Sequence, residues 1–70
     1  MTVYVIRNKE TRKFLAASGP WHREVRKDGD VAFHSSKASC RWLLKELRRT
    51  KPDRTYEIFE VVWTIVRVSL

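Results

Sequence analysis

Ser36-Lys37-Ala38-Ser39-Cys40-Arg41-Trp42-Leu43-Leu44-Lys45-Glu46-Leu47-Arg48-Arg49-Thr50 is the one stretch with a clear helical signature, and the rest of the chain is read against it. At 100° per residue, Cys40, Leu43, Leu44 and Leu47 fall at i, i+3, i+4 and i+7 and make a narrow apolar stripe. The stripe is expected to face a core. Ala38, Arg41, Trp42, Lys45, Arg48 and Arg49 then point away from it, which sets a large indole among four cations on the solvent side. Ser35 and Ser36 offer N-cap oxygens to the first free amides. Arg48, Arg49 and Lys51 put positive charge at the negative end of the helix dipole, and Pro52 cannot continue the helix.

The flanking segments read as strands. Val3 to Asn8 alternates and is rich in β-branched and aromatic residues, with both faces partly covered. Asn8 to Arg12 has the length of a hairpin loop, and Lys13 to Ala17 is the returning strand. Ser18-Gly19-Pro20 breaks the ladder, and a third extended segment follows in which Trp21 and Val25 face inward while the other side is wet. Lys27-Asp28-Gly29-Asp30 is the strongest turn signal, because Asp-Gly supplies the positive φ of a tight hairpin; Val31 to His34 is therefore expected to pair back on the Trp21 segment.

Tyr56 to Leu70 reads as a final strand with Tyr56, Ile58, Val62 and Val66 on one face and Phe59, Val61, Trp63 and Ile65 on the other. Glu57 and Glu60, three apart, suggest a bulge or bend near Phe59. At ~3.3 Å per residue such a strand spans about 45 Å, against the ~17–20 Å of an ordinary one. One helix covers only one face of a sheet, so one face of this strand, Phe59, Val61, Trp63 and Ile65 or else Ile58, Val62 and Val66, needs another cover, and the first set is the expected contact for a second copy of the chain or a docked target. The alternative is a bent strand that wraps its own core. The expected fold is α+β in one domain, residues 1–70: a small antiparallel sheet of four to five strands, in ββββαβ order, with one amphipathic helix on one face.

Fifteen Lys and Arg against eight Asp and Glu give +7 at pH 7 in 70 residues. An acidic partner follows from that excess: nucleic acid first, an acidic protein surface next, and no membrane, because no strongly apolar helix face is left over. Solubility alone is the competing explanation of the charge. Cys40 is the single cysteine and lies on the apolar stripe, so a small buried filler fits it better than a reactive thiol. A chain without disulfides fits a cytoplasmic, reducing compartment. Thr2 to Ile6 is too short for the apolar core of a signal peptide, and Val61 to Val66 is far below the ~20 residues of a membrane span.

The inventory for catalysis is thin. His22, His34 and Cys40 lack the spacing of a zinc site, and Asp28-Gly29-Asp30 is followed by Ala32 and His34 where a calcium loop needs oxygen ligands. Two glycines leave no phosphate-cradling loop. The expected chain is therefore not an enzyme and holds no metal or cofactor. Binding is the better class. Arg41, Trp42, Lys45, Arg48 and Arg49 make a patch suited to stacking a base or an aromatic side chain while the cations hold phosphates or carboxylates, and partial burial of Trp42 is the competing structural role. His22, Arg23, Arg26 and Lys27 form a second cationic group, and Arg7, Lys9, Arg12 and Lys13 a third, read as a solvated hairpin edge.

Tyr4-Val5-Ile6-Arg7-Asn8-Lys9-Glu10-Thr11-Arg12-Lys13-Phe14-Leu15, then Trp21, Ala32-Phe33-His34-Ser35, a helix with Ala38 and Leu43-Leu44, and Tyr56-Glu57-Ile58-Phe59-Glu60-Val61 together resemble a class of short phage-encoded proteins of largely unknown function. Arg12 stands where those hairpins often carry glycine. The resemblance implies a non-enzymatic accessory protein acting in the cytoplasm of an infected bacterium, as an inhibitor of host machinery or of a nucleic-acid-directed defence. A looser likeness, through Tyr4, Trp21, Ala32, Phe33 and the helix after Ser36, is to the hybrid-binding domain at the N-terminus of some ribonucleases H; here the Asp28-Gly29 turn takes the place of a cysteine of that module. That likeness implies a nucleic-acid-binding module as the alternative.

Overall fold

The computed structural model of the chain describes residues 2–62. Within them, β1 (Thr2–Asn8), β2 (Phe14–Leu15), β3 (Glu24–Val25), α1 (Lys37–Thr50) and β4 (Tyr56–Val62) build an α+β fold. The sheet is antiparallel with strand order β3-β2-β1-β4, and α1 packs on one face of it.

The helix forms where its pattern requires. Ser36 is extended, with φ −122° and ψ 125°, and its side chain accepts from the Ser39 amide at 3.4 Å. The Lys51 amide closes the far end on the Leu47 carbonyl at 2.7 Å. Cys40 and Leu47 are sealed against Ile6, Leu15 and Tyr56, with Tyr4, Leu43, Leu44 and Ile58 packed around them. Full burial of a side chain such as Ile6 or Leu47 contributes about 1.5–3 kcal/mol each. Of the apolar stripe Cys40 and Leu47 are buried and Leu43 and Leu44 half-buried, and burial pushes the Cys40 thiol pKa up.

β1 is covered on both sides. Ile6 and Asn8 are buried towards the helix, and Val3 and Val5, by strand alternation, on the opposite face. The ladder with β4 runs without interruption from Asn8↔Tyr56 to Thr2↔Val62. The bulge expected near Phe59 is therefore absent from this segment. Glu57 and Glu60 fall on opposite faces, and Glu57 finds Arg7 directly across the ladder at 2.5 Å, so both carboxylates are accommodated by plain alternation. The Arg7 guanidinium also lies 4.2 Å from the Phe59 ring centroid. The expected strand beyond Val62, with Trp63, Ile65 and Val66, lies outside the described residues.

The Asp28 turn departs from expectation. Its hydrogen bonds are Gly29 N–H to the Arg26 carbonyl at 2.8 Å and Val31 N–H to the Gly29 carbonyl at 3.0 Å. Gly29 is not in the left-handed region; among the glycines only Gly19 is, at φ 78°. No two-residue hairpin forms, and Val31 to His34 does not return along the Trp21 segment. It lies instead where β2 peels away from β1: Ala32 N–H donates to Leu15, and His34 and Tyr4 exchange backbone bonds at 2.8 and 2.7 Å. The segment contributes isolated bridges, Ala16↔Val31 and Tyr4↔His34, so the described order is βββαβ with the expected fourth strand reduced to two contacts.

Candidate binding surfaces

Helical periodicity and packing place Trp42 outward, where it is 61% exposed. Its neighbour in space is one the sequence concealed. Trp21, expected to point inward with Val25, is 43% exposed and lines a groove of about 440 Å³ with Trp42, Leu43, Glu46, Arg49 and Thr50. The local reason is the Ser18-Gly19-Pro20 break, where Gly19 turns the chain through positive φ and the Arg23 amide closes back on the Pro20 carbonyl at 2.8 Å. Trp21 sits inside that turn rather than on a strand, so alternation does not govern it. An aromatic directly after Gly-Pro was the available signal.

The cations around the helix are not equivalent. Arg49 is held by Glu46 through contacts of 2.6 and 3.2 Å, so at the groove rim its charge is largely matched. Arg41, Lys45 and Arg48 are exposed and make no ion pair with a described residue. By helical angle they lie on the flank of Trp42 away from Leu43 and Thr50.

The second predicted group divides. The His22 ring meets Trp21 edge-on, centroids 5.9 Å apart, and its carbonyl accepts from Arg54 at 3.2 Å. Arg23 folds over the Gly19 turn, donating to the Ser18 carbonyl and hydroxyl at 3.4 and 3.2 Å. Arg26 and Lys27 go elsewhere. Together with Arg7, Thr11, Arg12, Lys13 and Phe14 they line a groove of about 460 Å³; of the hairpin group Arg7, Arg12 and Lys13 form one wall of it, Lys9 does not, and Lys9, Arg12 and Lys13 are exposed, as a solvated edge requires. Sheet order explains it: β2 lies between β1 and β3, and the ends of all three meet at the hairpin.

Arg12 has φ 64°, a left-handed conformation that favours glycine. Its turn is held by the Asn8 side chain, whose Oδ1 accepts from the Glu10 and Thr11 amides at 2.9 and 3.3 Å.

A polar cluster that the sequence did not reveal ties this end of the sheet together. Glu24 was expected on a wet face, yet only 12% of its side chain is exposed. Its carboxylate accepts from Asn8 Nδ2 at 3.2 and 3.3 Å, from Thr11 Oγ1 at 3.3 Å and from the Tyr56 hydroxyl, and it pairs with Arg54 at 3.5 Å. Burial, then the bond to Glu24, pushes the Tyr56 phenol up to about 12. The cluster joins β1, β3, β4 and the segment before β4, and each polar group in it has a partner.

Of the proposed contact residues on the far face, Phe59 and Val61 are half-buried, and Trp63 and Ile65 lie outside the described residues. Val61 lines a small apolar depression with Val5, Phe14, Lys27, Val31 and Phe33. Among the described residues no group of three His, Cys, Asp or Glu gathers to hold a metal ion, and no helix is long and apolar enough to cross a membrane. Comparison with protein-family models, curated proteins and solved structures gives no match.

Proposed function

We propose that this chain is a non-enzymatic binding protein of the phage accessory kind, which docks on an acidic bacterial protein surface, alone or within a protein–nucleic acid complex, and inhibits or redirects it. The observation that carries this reading is the groove lined by two exposed indoles, Trp21 and Trp42, together with Leu43. Indole and guanidinium groups dominate the energetics of protein interfaces, and a concave apolar site with a charged rim suits an inserted aromatic or aliphatic side chain. Arg41, Lys45 and Arg48 beside Trp42 supply the attraction for acidic residues around it. The resemblance to short phage proteins supplies the bacterial cytoplasm as the setting.

A second copy of the chain is part of the proposal. β4 is an edge strand of the described sheet, and Phe59 and Val61 project from it opposite the helix. Sedimentation at high concentration is expected to give twice the 8.4 kDa of one chain; only 8.4 kDa species would remove the dimer. The functional reading is tested by capture from bacterial lysate, with and without nuclease, using the wild-type chain and Trp42→Ala. A partner that survives nuclease and is lost with the indole supports it. A partner held equally by both proteins contradicts it.

A further inference from the structure

We infer that the cleft between the first hairpin and the Asp28 turn binds the phosphodiester backbone of a single-stranded nucleic acid. This site is independent of the Trp21–Trp42 groove, because its ring, Phe14, and its deepest cation, Arg7, lie on the sheet face opposite α1. Five cations line the cleft, Arg7, Arg12, Lys13, Arg26 and Lys27, and no carboxylate shares the lining. Arg7 is already matched by Glu57. Arg12, Lys13, Arg26 and Lys27 make no ion pair with a described residue.

Four unpaired positive charges converging on one concavity repel each other and focus a field that attracts an anion of repeating charge. Half-buried Phe14 offers a flat apolar surface within the cationic track, the combination by which sequence-tolerant single-strand sites hold backbone and base together. A duplex presents its bases stacked inward and leaves such a ring unused; an acidic peptide fills the guanidinium forks of Arg12 and Arg26 with carboxylates as phosphate does, but brings no base to stack on Phe14. The backbone makes the arrangement durable. Arg12 and Lys13 are fixed by the Asn8-capped hairpin, and Arg26 and Lys27 by the Arg26–Gly29 turn.

Four phosphate contacts on a single strand give a slope of log affinity against log salt of about −2.8, which is a loss of about 50-fold between 50 and 200 mM salt. The test is fluorescence anisotropy with a labelled 12-nucleotide single-stranded DNA, its RNA equivalent, the matching duplex and a poly-glutamate peptide. Two charge-matched variants separate the site from the net charge: Arg26→Gln with Lys27→Gln in the cleft, and Lys37→Gln with Lys51→Gln at the two ends of α1. Single strands are expected to bind with that slope, the cleft variant to lose at least tenfold with its slope falling to about −1.4, and the helix-end variant to stay within twofold. No binding at 50 mM salt, equal losses in the two variants, or tighter binding of the duplex or the peptide would overturn the inference. Trp42→Ala is expected to leave this binding intact, so failure here and failure of the protein-docking reading are told apart.

Discussion

Replacing Glu24 by Gln keeps the side chain's shape while removing its charge and one acceptor oxygen. In the native protein Asn8 Nδ2 donates to both oxygens, Thr11 donates to one of them, and Tyr56 and Arg54 meet the other. A glutamine amide satisfies only one side as acceptor and turns an NH₂ towards the other. Asn8 is 4% exposed and Tyr56 8%, so the deserted donors do not simply return to water. Hydrogen bonds to a charged group contribute roughly 1.5–3 kcal/mol. Losing the charge on one side and the acceptor on the other should cost about 2–3 kcal/mol after discounting the part-exposed Arg54 and Thr11 contacts. A chain of this size has roughly 3–5 kcal/mol in all, and each kcal/mol moves the melting temperature by about 4–8 °C. Thermal melting by circular dichroism should therefore show a fall on the order of 10–20 °C, with urea unfolding giving the same free-energy difference. A solvated surface carboxylate would change stability by less than about 0.5 kcal/mol, and a result in that range would refute the clasp. Tyr56→Phe combined with Glu24→Gln should be less costly than the sum of the two, because they share one bond.

Other outcomes follow from the same packing. Because the Tyr56 pKa is raised from 10.0 to about 12 in the folded protein, its contribution is intact below pH 10 and lost as pH rises towards 12, by about 3 kcal/mol; an alkaline melt whose midpoint is flat from pH 9.5 to 11.5 would contradict it. His34 titrates in the other sense. Burial lowers its pKa below the ordinary 6.5, and its Nε2 is buried with no hydrogen-bond partner among the described residues, so the unfolded chain binds the proton first and stability falls as pH drops below 6.5. His34→Gln should flatten that acid limb, and an unchanged limb would rule His34 out as its source. Arg12→Gly should raise the urea midpoint by about 0.5 kcal/mol equivalent: a left-handed residue with a Cβ costs roughly 1–2 kcal/mol, and glycine's greater unfolded freedom returns part of it. A lower midpoint for the glycine variant would show that Arg12 is not strained there.

How much of this was legible in the sequence differs by element. α1 was readable because its period, its Ser36 cap and Pro52 agree, and β1 and the start of β4 because alternation of β-branched and aromatic residues survives burial on both faces. Local signals misled where a turn was settled by contacts far along the chain. Asp28-Gly29 favours a two-residue hairpin in isolation, yet β1 had an open edge beside Tyr4, and His34 filled it. Alternation also fails inside a turn, which is why Trp21 was assigned to the core. Glu24 was read as solvent-facing because a carboxylate on a short strand usually is; its partners Asn8 on one side of the sequence and Arg54 and Tyr56 on the other meet it only once the sheet order is fixed. The helix-face residues Arg41, Trp42 and Lys45 came from periodicity alone, whereas the grouping of Arg12 and Lys13 with Arg26 and Lys27 needed β2 to lie between β1 and β3.

The central claim is that α1 is anchored by its buried residues Cys40 and Leu47 and that its indole side is the proposed docking surface. It is tested most directly by measuring partner affinity and melting temperature on the same Trp42→Ala protein. The indole is 61% exposed, so the variant should melt within a few degrees of wild type, while truncation of an interface anchor should weaken partner binding by about 2 kcal/mol, or roughly 30-fold. A large fall in melting temperature, or full affinity without the indole, would contradict the account.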